Sequence, residues 1–364
     1  MALSVWPVKG LSVSASRRLA TVLSFLFVLG SAANAQAITN KKIAVLMFLP
    51  QNYGTEYVSE DDARSVVWTA SNSADEFYRE ESFGKWALTG FLRPDGDVFG
   101  WYTVPYSNSG TCIPFSWISA AKSYAAAEGF VESNYDALIY VTQATGCPGR
   151  AWTTGKTVYV LSGFNAPTVQ HELGHAFGLA HASAWLCKDA LGVKVPISAS
   201  CSVSEYGDFA TMGQTTSYHM NAYHKGVLGF FAASNTRDVT ADGTFALYSL
   251  EKPTTYAQTI RIPRKYDIFG KVLDYYYLEL RQPYGFDNFG ATSSHVNGIS
   301  IRVAPAYTVV KAHSYLLDAT TPAVTGFGDA ELKVGQTFND PTRRVNITLV
   351  SVTGDVAQVN VDFY

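Results

Sequence analysis

The chain has 364 residues, 47% of them hydrophobic and 16% charged, with a formal net charge of −3. That composition excludes a disordered chain, since enough apolar side chain is present to offset the entropy of ordering it. The acidic sign argues against nucleic acid and anionic membrane as main partners, and the length fits two modest domains better than one small one.

Residues 1–35 read as a signal peptide. Lys9, Arg17 and Arg18 supply a basic start, residues 19–30 an apolar run, and Ala33-Asn34-Ala35 a small-x-small cleavage pattern. The apolar run is about a dozen residues, short of the roughly 20 a bilayer span needs. No integral membrane anchor is expected anywhere in the chain. Removing a leader with three cations and no acid takes the formal charge to about −6. Export implies an oxidising setting, a secreted product, extracellular or periplasmic. The even set Cys112, Cys147, Cys187 and Cys201 then reads as two disulfide bonds. Proximity along the chain favours Cys112–Cys147 and Cys187–Cys201; no C-x-x-C spacing points to a metal role.

Residues 42–49 (KIAVLMFL) predict a buried strand, and the apolar spacing over residues 61–82 predicts a helix with Asp61 and Asp62 at its start. Residues 85–92 and 98–104 read as strands around Pro94-Asp95-Gly96, a turn signal that accounts for Asp95 and Asp97 without calcium. An Ala-rich helix over 117–127 follows, then strands over 136–142 and 157–162, then a helix carrying histidines. This order describes an α+β domain over residues 36–235, a mixed sheet with one functional helix. Beyond a joint near residues 232–236 the texture changes. Segments 244–250, 257–262, 274–281, 298–303, 314–318, 331–334, 346–352 and 356–363 are short, rich in β-branched and aromatic residues, and separated by turn formers. Residues 236–364 therefore read as an all-β sandwich.

The chemistry is concentrated in residues 171–181, HELGHAFGLAH. His171 and His175 are one helical turn apart on the same face, so both imidazoles can grip one metal ion. Glu172 points about 100° away, out of the coordination shell but within reach of a water on the ion. Gly178 can take positive φ, end the helix and swing His181 back to the same ion. Three neutral imidazoles with an open fourth position describe a catalytic zinc site, with Zn2+ as cofactor and Glu172 as the catalytic base. A chance match to all five fixed positions is on the order of one in 10⁵ for a chain of this kind. His219, His224, His295 and His313 have no such spacing and read as core or surface residues.

This extended motif resembles the signature of the metzincin clan of zinc peptidases. Glu205-Tyr206-Gly207-Asp208-Phe209-Ala210-Thr211-Met212-Gly213 is similar to the clan's methionine turn. With Asn221-Ala222-Tyr223-His224-Lys225 and Leu228-Gly229, the chain resembles the gametolysin-like branch, and segments 275–283 and 332–336 are similar to the β domain that follows catalysis there. The resemblance implies a secreted metalloprotease of α+β fold, a metzincin-like zinc protease domain followed by the sandwich. Its metal ligands would be His171, His175 and His181, its general base Glu172, and Met212 would floor the histidines. The position two after Met212, tyrosine in some of the clan, is Gln214, so the resemblance assigns no oxyanion tyrosine. The expected hydrolase acts on protein or peptide substrate, an extended segment of which would pair with an edge strand within residues 150–162. The alternative is a surface-binding or adhesion module with a vestigial zinc-protease fold.

Overall fold

Ile43 to Phe48 are all fully buried because they form the middle strand of a sheet covered on both faces. The computed structural model describes residues 1–7, 10, 37–147, 149–214, 216–320 and 326–364. The expected leader lies largely outside these. Residues 37–364 form one compact unit.

Strand β1 (Thr39–Pro50) pairs in parallel with β2 (Trp86–Thr89), β3 (Asp97–Val104) and β4 (Ala137–Val141). An antiparallel hairpin of β5 (Ala151–Thr154) and β6 (Thr157–Val160) is attached through β6 to β4, which leaves β5 at the edge. Alternation along β1 splits its side chains between two cores. Ile43, Val45 and Met47 pack with α1 (Glu60–Arg64), α2 (Ala74–Glu81) and α4 (Ala166–Ala176), while Ala44, Leu46 and Phe48 pack with α3 (Phe115–Ala126). The helix expected over 61–82 is interrupted. A π-helical turn, Ser65–Thr69, follows α1, Ala70 is extended, and Ser73 caps α2 by accepting the amide of Glu76 at 3.2 Å. The Ser71-Asn72-Ser73 run prefers cap geometry to helix interior. Asp97 fixes the turn before β3 by accepting the amides of Phe91, Leu92 and Arg93 at 2.6, 2.8 and 2.9 Å.

The second half is a sandwich of sheets. In chain order its strands are β7 (Ala182–Lys188), β8 (Lys194–Val195), β9 (Ser200–Ser204), β10 (Thr236–Asp238), β11 (Gly243–Tyr248), β12 (Thr259–Tyr266), β13 (Val272–Leu280), β14 (Gly298–Ala304), β15 (Ser314–Leu317), β16 (Leu332–Lys333), β17 (Thr337–Asp340), β18 (Val345–Thr353) and β19 (Val356–Phe363). The larger sheet has the order β10-β12-β13-β14-β15-β7-β8, with β16 on β14 and β9 on β7. The smaller has the order β11-β19-β18-β17. Ile260, Leu278, Ile299 and Ile301 of the larger sheet share one core with Leu247, Ile347, Leu349 and Val359 of the smaller. The short turn Ala233–Asn235 marks the expected joint, yet strand pairing crosses it. β15 pairs in parallel with β7, Ser314 opposite Ala182. The strand that follows His181 is thus part of the β-sandwich sheet.

Both expected disulfides are present, Cys112–Cys147 and Cys187–Cys201, and no described cysteine is free. Cys187 and Cys201 are direct cross-strand partners on β7 and β9. Closing a loop of this size is worth about 3 kcal/mol in the chain-entropy account. Among the described residues no helix is long and apolar enough to cross a membrane.

Candidate metal centre

Helix α4 begins with Asn165, whose side chain accepts the Thr168 amide at 3.0 Å, and carries Pro167 in its first turn, where the missing N–H costs nothing. It ends in a Schellman motif. Gly178, at φ +101°, donates to the His175 carbonyl, and Leu179 donates to the Gly174 carbonyl, both at 3.0 Å. The chain thereby reverses and brings His181 to the face that carries His171 and His175. Their candidate ligand atoms all lie within 4.8 Å of one another, with ring centroids 4.7–5.4 Å apart. This cluster can hold a metal ion.

Each ring is fixed by its Nδ1. That atom donates to the Thr211 carbonyl in His171 (2.7 Å), to the Leu179 carbonyl in His175 (2.9 Å) and to the Glu205 carboxylate in His181 (2.9 Å). All three partners are acceptors, so Nδ1 carries the proton and Nε2 keeps its lone pair, the tautomer a metal ligand needs. Burial, then the neighbouring His175, pushes the His171 pKa down to about 4. Burial lowers His175 and His181 as well. The three rings are neutral and ready to coordinate at neutral pH.

Below them lies Met212, fully buried. A Cβ at Gly174 would stand 2.3 Å from Met212 Sδ, so the glycine in H-E-L-G-H is the gap into which the methionine fits. The Met212 carbonyl accepts the Ala182 amide at 2.9 Å, which ties the turn to the residue after His181. Asp208, four residues before Met212, accepts the Ala210 amide at 3.0 Å and is gripped by the buried Arg302 of β14 at 2.6 and 2.9 Å.

Glu172 is buried, and the Thr153 hydroxyl lies 2.7 Å from its Oε2 and 2.9 Å from its carbonyl oxygen, donating to one at a time. Burial raises the Glu172 pKa, opposed by the Thr153 hydrogen bond and by His181. A cation among the imidazoles would draw it back down. The carboxylate and the three rings open onto a cleft of about 1010 Å³. Ala151, Trp152 and Thr153 of the edge strand β5 form one side of its lining.

Two further residues line this cleft that sequence spacing does not reveal. The Tyr206 ring is 5.0 Å from that of His181, and His313, whose Nδ1 meets the Ser183 hydroxyl at 3.0 Å, has its ring 6.0 Å from it. Tyr218 packs instead on Phe289, and Tyr223 is buried with its hydroxyl donated to the Val309 carbonyl. Tyr206 precedes Met212 and His313 comes from the β half, so only the fold brings them to this cleft. The loop bearing His313 is tied to the end of α4 by the Lys311 amide donating to the Gly178 carbonyl at 3.0 Å. His219 is buried between Glu80 and Lys225, His224 is buried, and His295 pairs with Glu331. None of these three joins the cluster.

No family model matches the chain, and no curated protein matches it. Among solved structures, one described as the structure of a chaperone-substrate complex aligns with 42% of this chain at 14% identity and a TM-score of 0.26. The alignment spans 26% of that chain, about a quarter of its length. A likeness this slight says nothing of fold or activity.

Proposed function

We propose that the protein is an exported zinc-dependent endopeptidase of the metzincin type, acting on extracellular proteins or glycoproteins. The observation that carries this reading is the convergence of three imidazoles, each with Nδ1 occupied and Nε2 free, beside a buried carboxylate in an open cleft. Three nitrogen ligands and no thiolate are the donor set of a catalytic zinc site, and both disulfides fit the oxidising setting that export implies. A zinc ion held there would supply Lewis acidity, lowering the pKa of water and stabilising negative charge on a carbonyl oxygen.

The chain's own residues supply the rest. Glu172 takes a proton from the attacking water and returns it to the leaving amine. Thr153 holds the carboxylate in place and couples it to β5. An extended polypeptide can add to the open edge of β5 by main-chain hydrogen bonds, which lays its carbonyls past Glu172. Tyr206, whose pKa burial raises, keeps its phenolic proton and lines the same cleft, where its hydroxyl can donate a hydrogen bond to bound substrate.

Casein digestion by the wild type and by Glu172→Gln tests the reading. The variant is expected to retain its metal and lose roughly 10²–10⁴-fold in rate. Unchanged turnover would remove the assignment of Glu172. A wild type that binds zinc and cleaves nothing would favour the adhesion module instead.

A further inference from the structure

The β12–β13 hairpin ends in the turn Asp267-Ile268-Phe269-Gly270, and its two central side chains are almost fully exposed, Ile268 at 92% and Phe269 at 89%. The turn itself is tightly made. Gly270, at φ +82°, donates to the Asp267 carbonyl at 3.1 Å, and Asp267 Oδ1 accepts the Phe269 and Lys271 amides at 2.8 and 2.9 Å. Polar residues would serve equally at the two central positions. Two large apolar side chains almost fully exposed on a well hydrogen-bonded turn contribute little to the fold's own core.

What surrounds the tip identifies its partner. Lys265 and Lys271 flank it and have no ion-pair partner among the described residues. Tyr266 and Leu273, half exposed, form a second tier behind them. Arg264 and Asp274 cancel in a bidentate pair at 2.9 and 2.6 Å, and the Asp267 carboxylate is turned onto backbone amides. The pairing of β13 with β14 ends at Tyr275–Ala304, whereas β12 and β13 stay paired out to Tyr266–Val272. The hairpin therefore stands roughly 10 Å beyond its neighbour at about 3.3 Å per residue. Apolar side chains of peripheral proteins sit about 5–10 Å deep at the headgroup boundary. A stable protein interface needs on the order of 1,000 Å² with complementary shape, more than a two-residue tip offers, whereas a bilayer surface demands no such match.

We propose that this finger docks onto anionic phospholipid surfaces, Ile268 and Phe269 entering the interface while Lys265 and Lys271 meet the headgroup phosphates. Strand directions put the tip on the same edge of the large sheet as His181 and His313, which precede the starts of β7 and β15. Docking would hold the cleft beside the membrane. The formal charge, about −6 once the leader is removed, opposes long-range attraction, so the contact is local and salt-sensitive.

Co-sedimentation of the protein with mixed phosphatidylglycerol–phosphatidylcholine vesicles tests this without reference to catalysis. The wild type is expected to bind the mixed vesicles and not pure phosphatidylcholine. Ile268→Ser/Phe269→Ser and Lys265→Glu/Lys271→Glu are each expected to bind roughly tenfold or more weakly, with unchanged circular dichroism and metal content. No vesicle binding by the wild type, or equal binding by both variants, would overturn the proposal. So would slower casein cleavage in the tip variants with vesicle binding intact, which would make the finger a docking point for polypeptide.

Discussion

The three candidate ligand rings are held from behind. His171 and His175 lean on backbone carbonyls, which no substitution removes, whereas His181 leans on the half-exposed side chain of Glu205. Loss of an outer partner of this kind typically weakens metal binding by 10–100-fold. Glu205→Ala is accordingly expected to lower zinc affinity about 10–100-fold in a competitive chelator titration while leaving the fold intact. An affinity equal to the wild type would show that His181 needs no such support. At this scale the sequence was informative about ligands and silent about their partners. The spacing of His171, Glu172 and His175 announces a shared helix face. Thr211 and Leu179 act through main-chain oxygens, and such atoms leave no trace in residue identity. Thr153, which holds Glu172, is one of many threonines until β5 is laid across α4.

Glycine does different work at two positions of the motif. Gly178 was legible as a helix stop, since the return of His181 requires positive φ just there. Gly174 was not, because the reason for it is the Met212 sulfur 38 residues further on. Gly174→Ala raises helix propensity, yet its methyl group would stand 2.3 Å from Sδ of the fully buried Met212, so the methionine would have to shift within the core. Overpacking wins over propensity here. The variant is expected to be less stable by about 1–3 kcal/mol in urea unfolding and to bind metal more weakly. A gain in stability would mean that Met212 moves freely. The other elements divide along similar lines. Strongly patterned segments such as 42–49 and 356–363 form the strands their sequences imply. The break within 61–82 turns on cap chemistry at Ser73 that helical periodicity outweighs in a sequence reading. Strand β7 is mostly buried, with apolar residues on both faces, and β9 is a short, serine-rich, mostly exposed strand, so neither carries the half-buried pattern that announces a strand.

For the whole molecule, the β half does more than follow the helical half. Arg302 of β14 and Asp208 of the methionine turn form a fully buried pair, with Glu279 also on Arg302. Glu279 in turn accepts the Ala222 amide at the start of α5 (Ala222–Val227) at 2.7 Å. Sandwich strands thus hold the segment that carries Met212, beneath the histidine cluster. Arg302→Met takes the paired cation from the buried Asp208 carboxylate and leaves Glu279 with Arg281 alone, a change that typically costs about 3–5 kcal/mol. It is expected to lower the thermal midpoint and weaken zinc binding together, although the residue touches no ligand. Zinc affinity that stays at the wild-type level would separate the two halves functionally. That dependence was hidden in the sequence, where Asp208 and Arg302 lie 94 positions apart and the textural change near residue 235 reads as a joint between independent parts.

The central claim is that three imidazoles take one zinc ion and leave a position open beside Glu172. Zinc-edge X-ray absorption on the purified protein, with the metal content of the same sample, addresses it directly. One zinc per chain, three imidazole nitrogens at about 2.0–2.1 Å and at least one oxygen from solvent are the expected result. A fourth protein ligand, or a chain that holds no zinc, would contradict it.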